Sequence, residues 1–258
     1  MELPEFFAIN ERLAVLDSQL LDDWGARLLP TDTAYGSLAA LALLSHQHLC
    51  LKEIRSKVTE DGDPQIASLL LRHHLESWAT GLALTRSGDN VARFRGSGKK
   101  YHIKTVRSLN TYYKQMGIEV HLDEELGGMD DVALADFSFE QIFREATEAL
   151  NSAGGHDIPL QRYYDTAYRS LSNLLGSHPT IFTIDVYVSQ ALFFQQVLKE
   201  PNYVGSRQYD DLAARAYIQS LTFTIIYSHY LRLHLHRDPE VMGQLIKDIN
   251  DALGAIGA

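Results

Sequence analysis

A single cysteine, Cys50, stands among 258 residues, so no disulfide can form within the chain. It falls inside an apolar helical run without an activating neighbour and reads as a small buried hydrophobe, not a nucleophile. Prolines number only 7, and long stretches without them carry a helical period. No segment reaches the roughly 18 uninterrupted apolar residues of a membrane span. Ser45, His46 and His48 interrupt the best one. The start, Met-Glu-Leu-Pro-Glu-Phe-Phe, has no basic leader ahead of an apolar stretch, so no signal peptide and a cytoplasmic location are expected. Positive charge is scarce as well. With 23 Lys and Arg against 33 Asp and Glu the net charge is −10, which argues against a broad nucleic-acid surface but leaves room for a local basic groove.

Apolar residues at 45% and charged residues at 22% are ordinary for a globular protein. The pattern predicts an all-α, single-domain bundle over 1–258 with about eight or nine helices. Helices are expected over 4–26, 35–59 and from Asp63-Pro64 to about Ser87-Gly88; Asp63-Pro64 supplies an N-cap and a first-turn proline. The third of these carries Leu71, Leu75, Trp78 and Leu82 on one stripe. A helix over 89–116 follows, with a break expected at Gly96-Ser-Gly98. Seven acidic residues without a lysine or arginine mark 117–137 as an exposed acidic loop. Helices are expected again over 138–152, 159–176, from about Ile184 to Glu200, 208–236 and 239–253. Tyr217, Leu221, Ile225 and Ser228 share a stripe on the longest of these.

Most chemical motifs fail. Gly96-Ser-Gly-Lys-Lys-Tyr looks like a phosphate loop, but that pattern needs glycine where Arg93 stands and Ser or Thr where Lys100 stands. Arg93, Arg95, Lys99, Lys100 and Lys104 still form the strongest basic cluster, either a solvated helix face or an anion or RNA-backbone site. The pairs His46/His48 and His234/His236 stand at i, i+2 and point to different faces of a helix. No Glu-x-x-His or His-Glu-x-x-His occurs, so neither a di-iron centre nor zincin chemistry is indicated, and no metal or cofactor is expected. Gly-x-Ser-x-Gly is missing too.

Residues 163–180 are richer. Tyr168 and Ser172 share a helical stripe with Leu171, Leu174 and Leu175, and His178 follows at the helix exit. Hydroxyls on a core stripe need partners, as internal glue or as a site. Ser172 with His178 is the one serine–histidine pair of note, but spacing fixes no acid partner. Arg72 and Glu76 stand at i, i+4 beside the Leu71–Leu82 stripe.

Arg72-x-x-x-Glu76-x-Trp78, then Ala92-Arg93-Phe94, then Tyr168-x-x-x-Ser172 and His178-Pro179 together resemble the bacterial domain-of-unknown-function family 5677. The resemblance covers residues 35–236. It implies an all-helical fold and a shared polar cluster of Arg72, Glu76, Tyr168, Ser172 and His178, and it implies no activity. The acidic 117–137 stretch and Arg169 have no counterpart in it.

Two readings of function follow. One is a non-catalytic module that binds a partner protein or a small ligand, with the Arg72, Glu76, Tyr168, Ser172 and His178 cluster at its centre. The other is a metal-independent ribonuclease similar to the HEPN ribonucleases, or a related toxin or defence effector. In that reading Arg95 steadies the charged transition state and His102 acts as general acid/base, or the chemistry sits at His178 with Tyr168 and Arg72. A homodimer is compatible with both readings, and neither involves a membrane.

Overall fold

The computed structural model describes residues 3–25, 35–59, 64–118, 137–154 and 207–257, and all regular structure among them is helical. Seven α-helices appear in this order: α1 Leu3–Gly25, α2 Tyr35–Thr59, α3 Pro64–Arg86, α4 Gly88–Gln115, α5 Phe139–Gly154, α6 Arg207–His234 and α7 Gly243–Gly257. A 3-10 turn, Glu240–Met242, leads into α7. The expected helices over 159–176 and ending near Glu200 lie outside the described residues, as does most of the acidic stretch.

The central element is α3, which packs against α2, α5 and α6. Its expected stripe of Leu71, Leu75, Trp78 and Leu82 is buried, together with Ala67, Ala79 and Ala83. Trp78 sits between Phe223 of α6, 5.0 Å between ring centroids, and Phe143 of α5, at 6.1 Å. One apolar cluster runs on through α1, α2, α6 and α7. Two glycines set the spacing of the inner helices. A Cβ at Gly81 would collide with the Tyr227 phenol, and one at Gly36 with the Leu84 carbonyl. Tyr227 passes over Gly81 and donates to the Ala40 carbonyl at 2.9 Å, tying α6 to α2 across α3.

Helix ends follow local chemistry. Ser87 caps α4, its hydroxyl accepting from the Asn90 amide at 3.1 Å. The helix then runs without a break through Gly96 and Gly98, unlike the expected interruption. Gly96 is buried within it, while Gly98 is exposed with open space where a Cβ would stand. Ser97 accepts from the Phe137 amide at 3.0 Å, which fixes the start of the α5 region against α4. At the other end Gly117, with φ 72°, closes a Schellman turn through Ile118 N–H to Tyr113 O at 3.0 Å. α6 ends in the same turn, with Arg237 N–H to Arg232 O at 2.7 Å. There His236, φ 53°, occupies the left-handed position that glycine fills more cheaply.

Candidate functional site

An open groove of about 530 Å³ lies where the C-terminal parts of α3, α5 and α6 meet. Thr85 and Arg86 line it from α3, Ala149, Ser152 and Ala153 from α5, and Tyr230, Leu233 and His234 from α6. That volume falls in the range of small-molecule sites. Tyr230 and His234 stand one turn apart, and their rings stack 6.0 Å apart at 8°. The Thr85 hydroxyl donates to Leu82 O at 2.8 Å, so the Tyr230 hydroxyl at 2.8 Å donates to Thr85. Burial raises the Tyr230 pKa, with the Thr85 hydrogen bond acting against it.

Burial lowers the His234 pKa, and neighbouring His236 lowers it further, so the groove wall holds a neutral imidazole at pH 7. The Ser37 hydroxyl lies 3.4 Å from its Nε2. At the rim Arg86 is clamped by Glu145 and Glu148 of α5. Burial pushes the Glu145 carboxyl up, but hydrogen bonds from Asn90 and Arg86 outweigh that and hold it below the usual range. Asn90 itself bridges Glu145 at 3.0 Å and Ala83 O at 2.9 Å, locking the α3–α4 joint to α5. The groove therefore offers one planar neutral wall, small apolar residues opposite it, and an already neutralised cation at its edge.

Among the described residues, none of the site candidates selected from the sequence lines this groove. Arg72 Nε meets Glu76 Oε1 at 3.1 Å, and His73 Nδ1 lies 3.4 Å from the same carboxylate. The pair is half-buried and stands about 20 Å along α3 from Arg86, at 1.5 Å per residue. Tyr168, Ser172 and His178 lie outside the described residues. Arg93 and Arg95 diverge. The guanidinium of Arg93 lies over Phe137 at 4.6 Å and reaches Gln141 at 3.3 Å, while Arg95 lies over Tyr35 at 4.8 Å. Lys99, Lys100 and His102 occupy α4, their side chains outside the described set, and Lys104 is exposed. Cys50 is buried, its Sγ 3.7 Å from His46 Nε2, and burial followed by the Glu53 charge raises its pKa. That thiol is inert.

A second polar constellation ties the bundle together. Asp17 of α1 sits on the stripe Phe6, Ile9, Leu13 and Leu20 and is fully buried. Its carboxylate takes a proton donor from His48 Nε2 at 2.8 Å and another from the Ser228 hydroxyl. Arg232 approaches it at 3.8 Å and donates to Leu16 O at 2.7 Å. Serine and histidine both point at the carboxylate and not at each other, so this is a structural knot joining α1, α2 and α6, without the geometry of a nucleophile and its base. His74, also buried, reaches Thr224 Oγ1 at 2.8 Å. Thr224 spends its own proton on Ser220 O, so His74 donates through Nε2. Burial first, then the charges of His48 and His46, lower the His74 pKa to about 3.

Among the described residues no group of three or more His, Cys, Asp or Glu is placed to hold a metal ion, and no helix is long and apolar enough to cross a membrane. Comparison with protein-family models, with curated proteins and with solved structures finds no match to this chain.

Proposed function

We propose that the protein is a helical binding module that takes a small, neutral, planar ligand in the groove between α3, α5 and α6. The observation that carries this reading is the stacked Tyr230–His234 wall beside Ala149, Ala153 and Leu233. Its polar groups are already engaged, Tyr230 by Thr85 and Arg86 by two carboxylates, which favours holding a ligand over transforming one. Saturation-transfer NMR with quinoline, indole and nicotinamide as probes tests it. Ala153 is exposed at the groove edge, so Ala153→Trp fills the space without touching the core. Saturation of at least one probe by the wild type and its loss in Ala153→Trp is the expected result. Equal signals from both proteins, or none from the wild type, would sink the idea.

The ribonuclease reading draws support from one feature of α4. Because the helix is continuous, Arg95 and His102 stand seven residues apart on one face, about 10 Å along the axis. In that reading His102 is the general acid/base and Arg95 the charge-stabilising group. Incubation of a mixed RNA pool with and without EDTA decides it. Metal-independent cleavage lost in His102→Ala supports it, and an intact pool removes it.

A further inference from the structure

The longest acid-free stretch of a strongly acidic chain is built into one helix. Between Asp89 and Glu119 there is no carboxylate, while Arg93, Arg95, Lys99, Lys100, Lys104, Arg107 and Lys114 all fall there. The structure divides these cations by what they touch. Arg93 and Arg95 are spent on aromatic partners in the body of the bundle. Lys104, Arg107 and Lys114 are exposed, and no ion pair or hydrogen bond to a described residue engages their side chains. Elsewhere Arg12, Arg55, Arg72, Arg86 and Arg232 each meet a carboxylate, while Lys52, Arg144, Arg215 and Lys247 are exposed without an ion pair to a described residue but stand apart on different helices. Among the described residues no carboxylate meets these three cations, so the face they share is complementary to an anion.

The spacing describes the anion. At about 100° per residue, Lys104, Arg107 and Lys114 fall on one edge of α4, some 15 Å long. Thr111, Gln115 and Ser108, all exposed, continue the same face, and Tyr112 closes it with 56% of its surface open. Tyr112 meets Tyr113 edge-on, 5.7 Å between centroids. The outward face thus runs from cations through hydroxyl and amide groups to an open aromatic ring.

We infer that the C-terminal half of α4 is a binding ridge for single-stranded nucleic acid: Lys104, Arg107 and Lys114 contact successive phosphates, and Tyr112 stacks on a base. A membrane surface fits less well, because the centre of the exposed face is Ser108, Thr111 and Gln115, with Leu109 and Met116 to one side. A second copy of α4 would bring like charges together. The inference is independent of the groove, and it asks for binding without cleavage.

The test uses the full chain in EDTA and fluorescein-labelled U20, dT20 and a 20-base-pair duplex as probes, read by anisotropy from 50 to 200 mM KCl. Three phosphate contacts on a single strand predict a log–log salt slope of about −2, at roughly −0.7 per contact. Lys104→Gln/Arg107→Gln/Lys114→Gln, at exposed positions, should lower U20 affinity tenfold or more and flatten the slope. Tyr112→Ala should weaken U20 about fivefold or more with the slope unchanged, because stacking releases no counterions. Equal affinity for U20 and dT20 supports a site that reads the phosphate backbone, and preference for one names its source. The inference is overturned by no binding of U20 at 50 mM KCl, by binding indifferent to the triple variant, or by duplex bound as well as U20 with Tyr112→Ala silent. Capture by phosphatidylserine vesicles or by polyglutamate in place of U20 would overturn it in favour of those partners.

Discussion

The phenol of Tyr227 lies against the bare Cα of Gly81, where no side-chain carbon fits, and reaches past it to the Ala40 carbonyl at 2.9 Å. Gly81→Ala should therefore destabilise the fold. Overpacking costs about 1–3 kcal/mol, against a helix-propensity gain of about 1 kcal/mol, so the collision wins or at worst balances. Tyr227→Phe removes the nearest offending atom at the expense of one hydrogen bond. In urea denaturation the double variant should be more stable than the two single losses add up to, by about 1 kcal/mol. Strict additivity would mean that the two residues do not press on each other.

Asp17→Ala should cost about 3 kcal/mol, since it strands His48, Ser228 and Arg232 around a missing carboxylate. Ser228→Ala removes one donor and should cost only about 1 kcal/mol. A ranking reversed in chemical denaturation would show that the knot is not centred on Asp17.

His74 makes stability depend on pH with a definite sign. Its folded pKa, about 3, lies below the ordinary histidine value of 6.5, so the unfolded chain binds the extra proton between these values. The stabilisation is full above pH 6.5 and drains away as pH falls toward 3. Going from pH 7 to pH 5 should cost up to about 2 kcal/mol from this group. His74→Gln keeps a donor for Thr224 and should flatten the dependence of unfolding free energy on pH by about one proton. An unchanged slope would assign the effect to other groups.

His236→Gly should raise the melting temperature. The residue holds φ 53° in the Schellman turn after α6, a conformation that costs a side-chain-bearing residue about 1 kcal/mol. The same change removes the secondary cause of the lowered His234 pKa, so NMR titration of His234 should move upward. A lower melting temperature would show that the imidazole makes compensating contacts.

The described helices were largely legible in the sequence, because helix ends are local events. Asp63-Pro64 and Ser87 mark the limits of α3 within a residue, and Tyr35–Thr59 matches the expected second helix. Gly96 and Gly98 do not interrupt α4, because an interior glycine costs a helix only about 1 kcal/mol and keeps its backbone hydrogen bond. The last helix was placed about four residues early, since Pro239 opens a 3-10 turn before α7 begins. The groove was not legible: Arg86, Ser152 and His234 meet only through tertiary packing of three helix ends far apart in the chain. Asp17 could have been found, since an acid on the stripe of Phe6, Ile9, Leu13 and Leu20 announces a buried carboxylate in need of partners.

Cys50 has one more consequence. As the lone thiol of the chain, 3% exposed in the middle of α2, it reacts with a bulky maleimide only when the bundle opens. Its labelling rate under native conditions then counts openings that uncover the buried face of α2, without denaturant and in a cell extract as readily as in buffer. The residue that rules out a covalent cross-link is thereby a timekeeper for the fold.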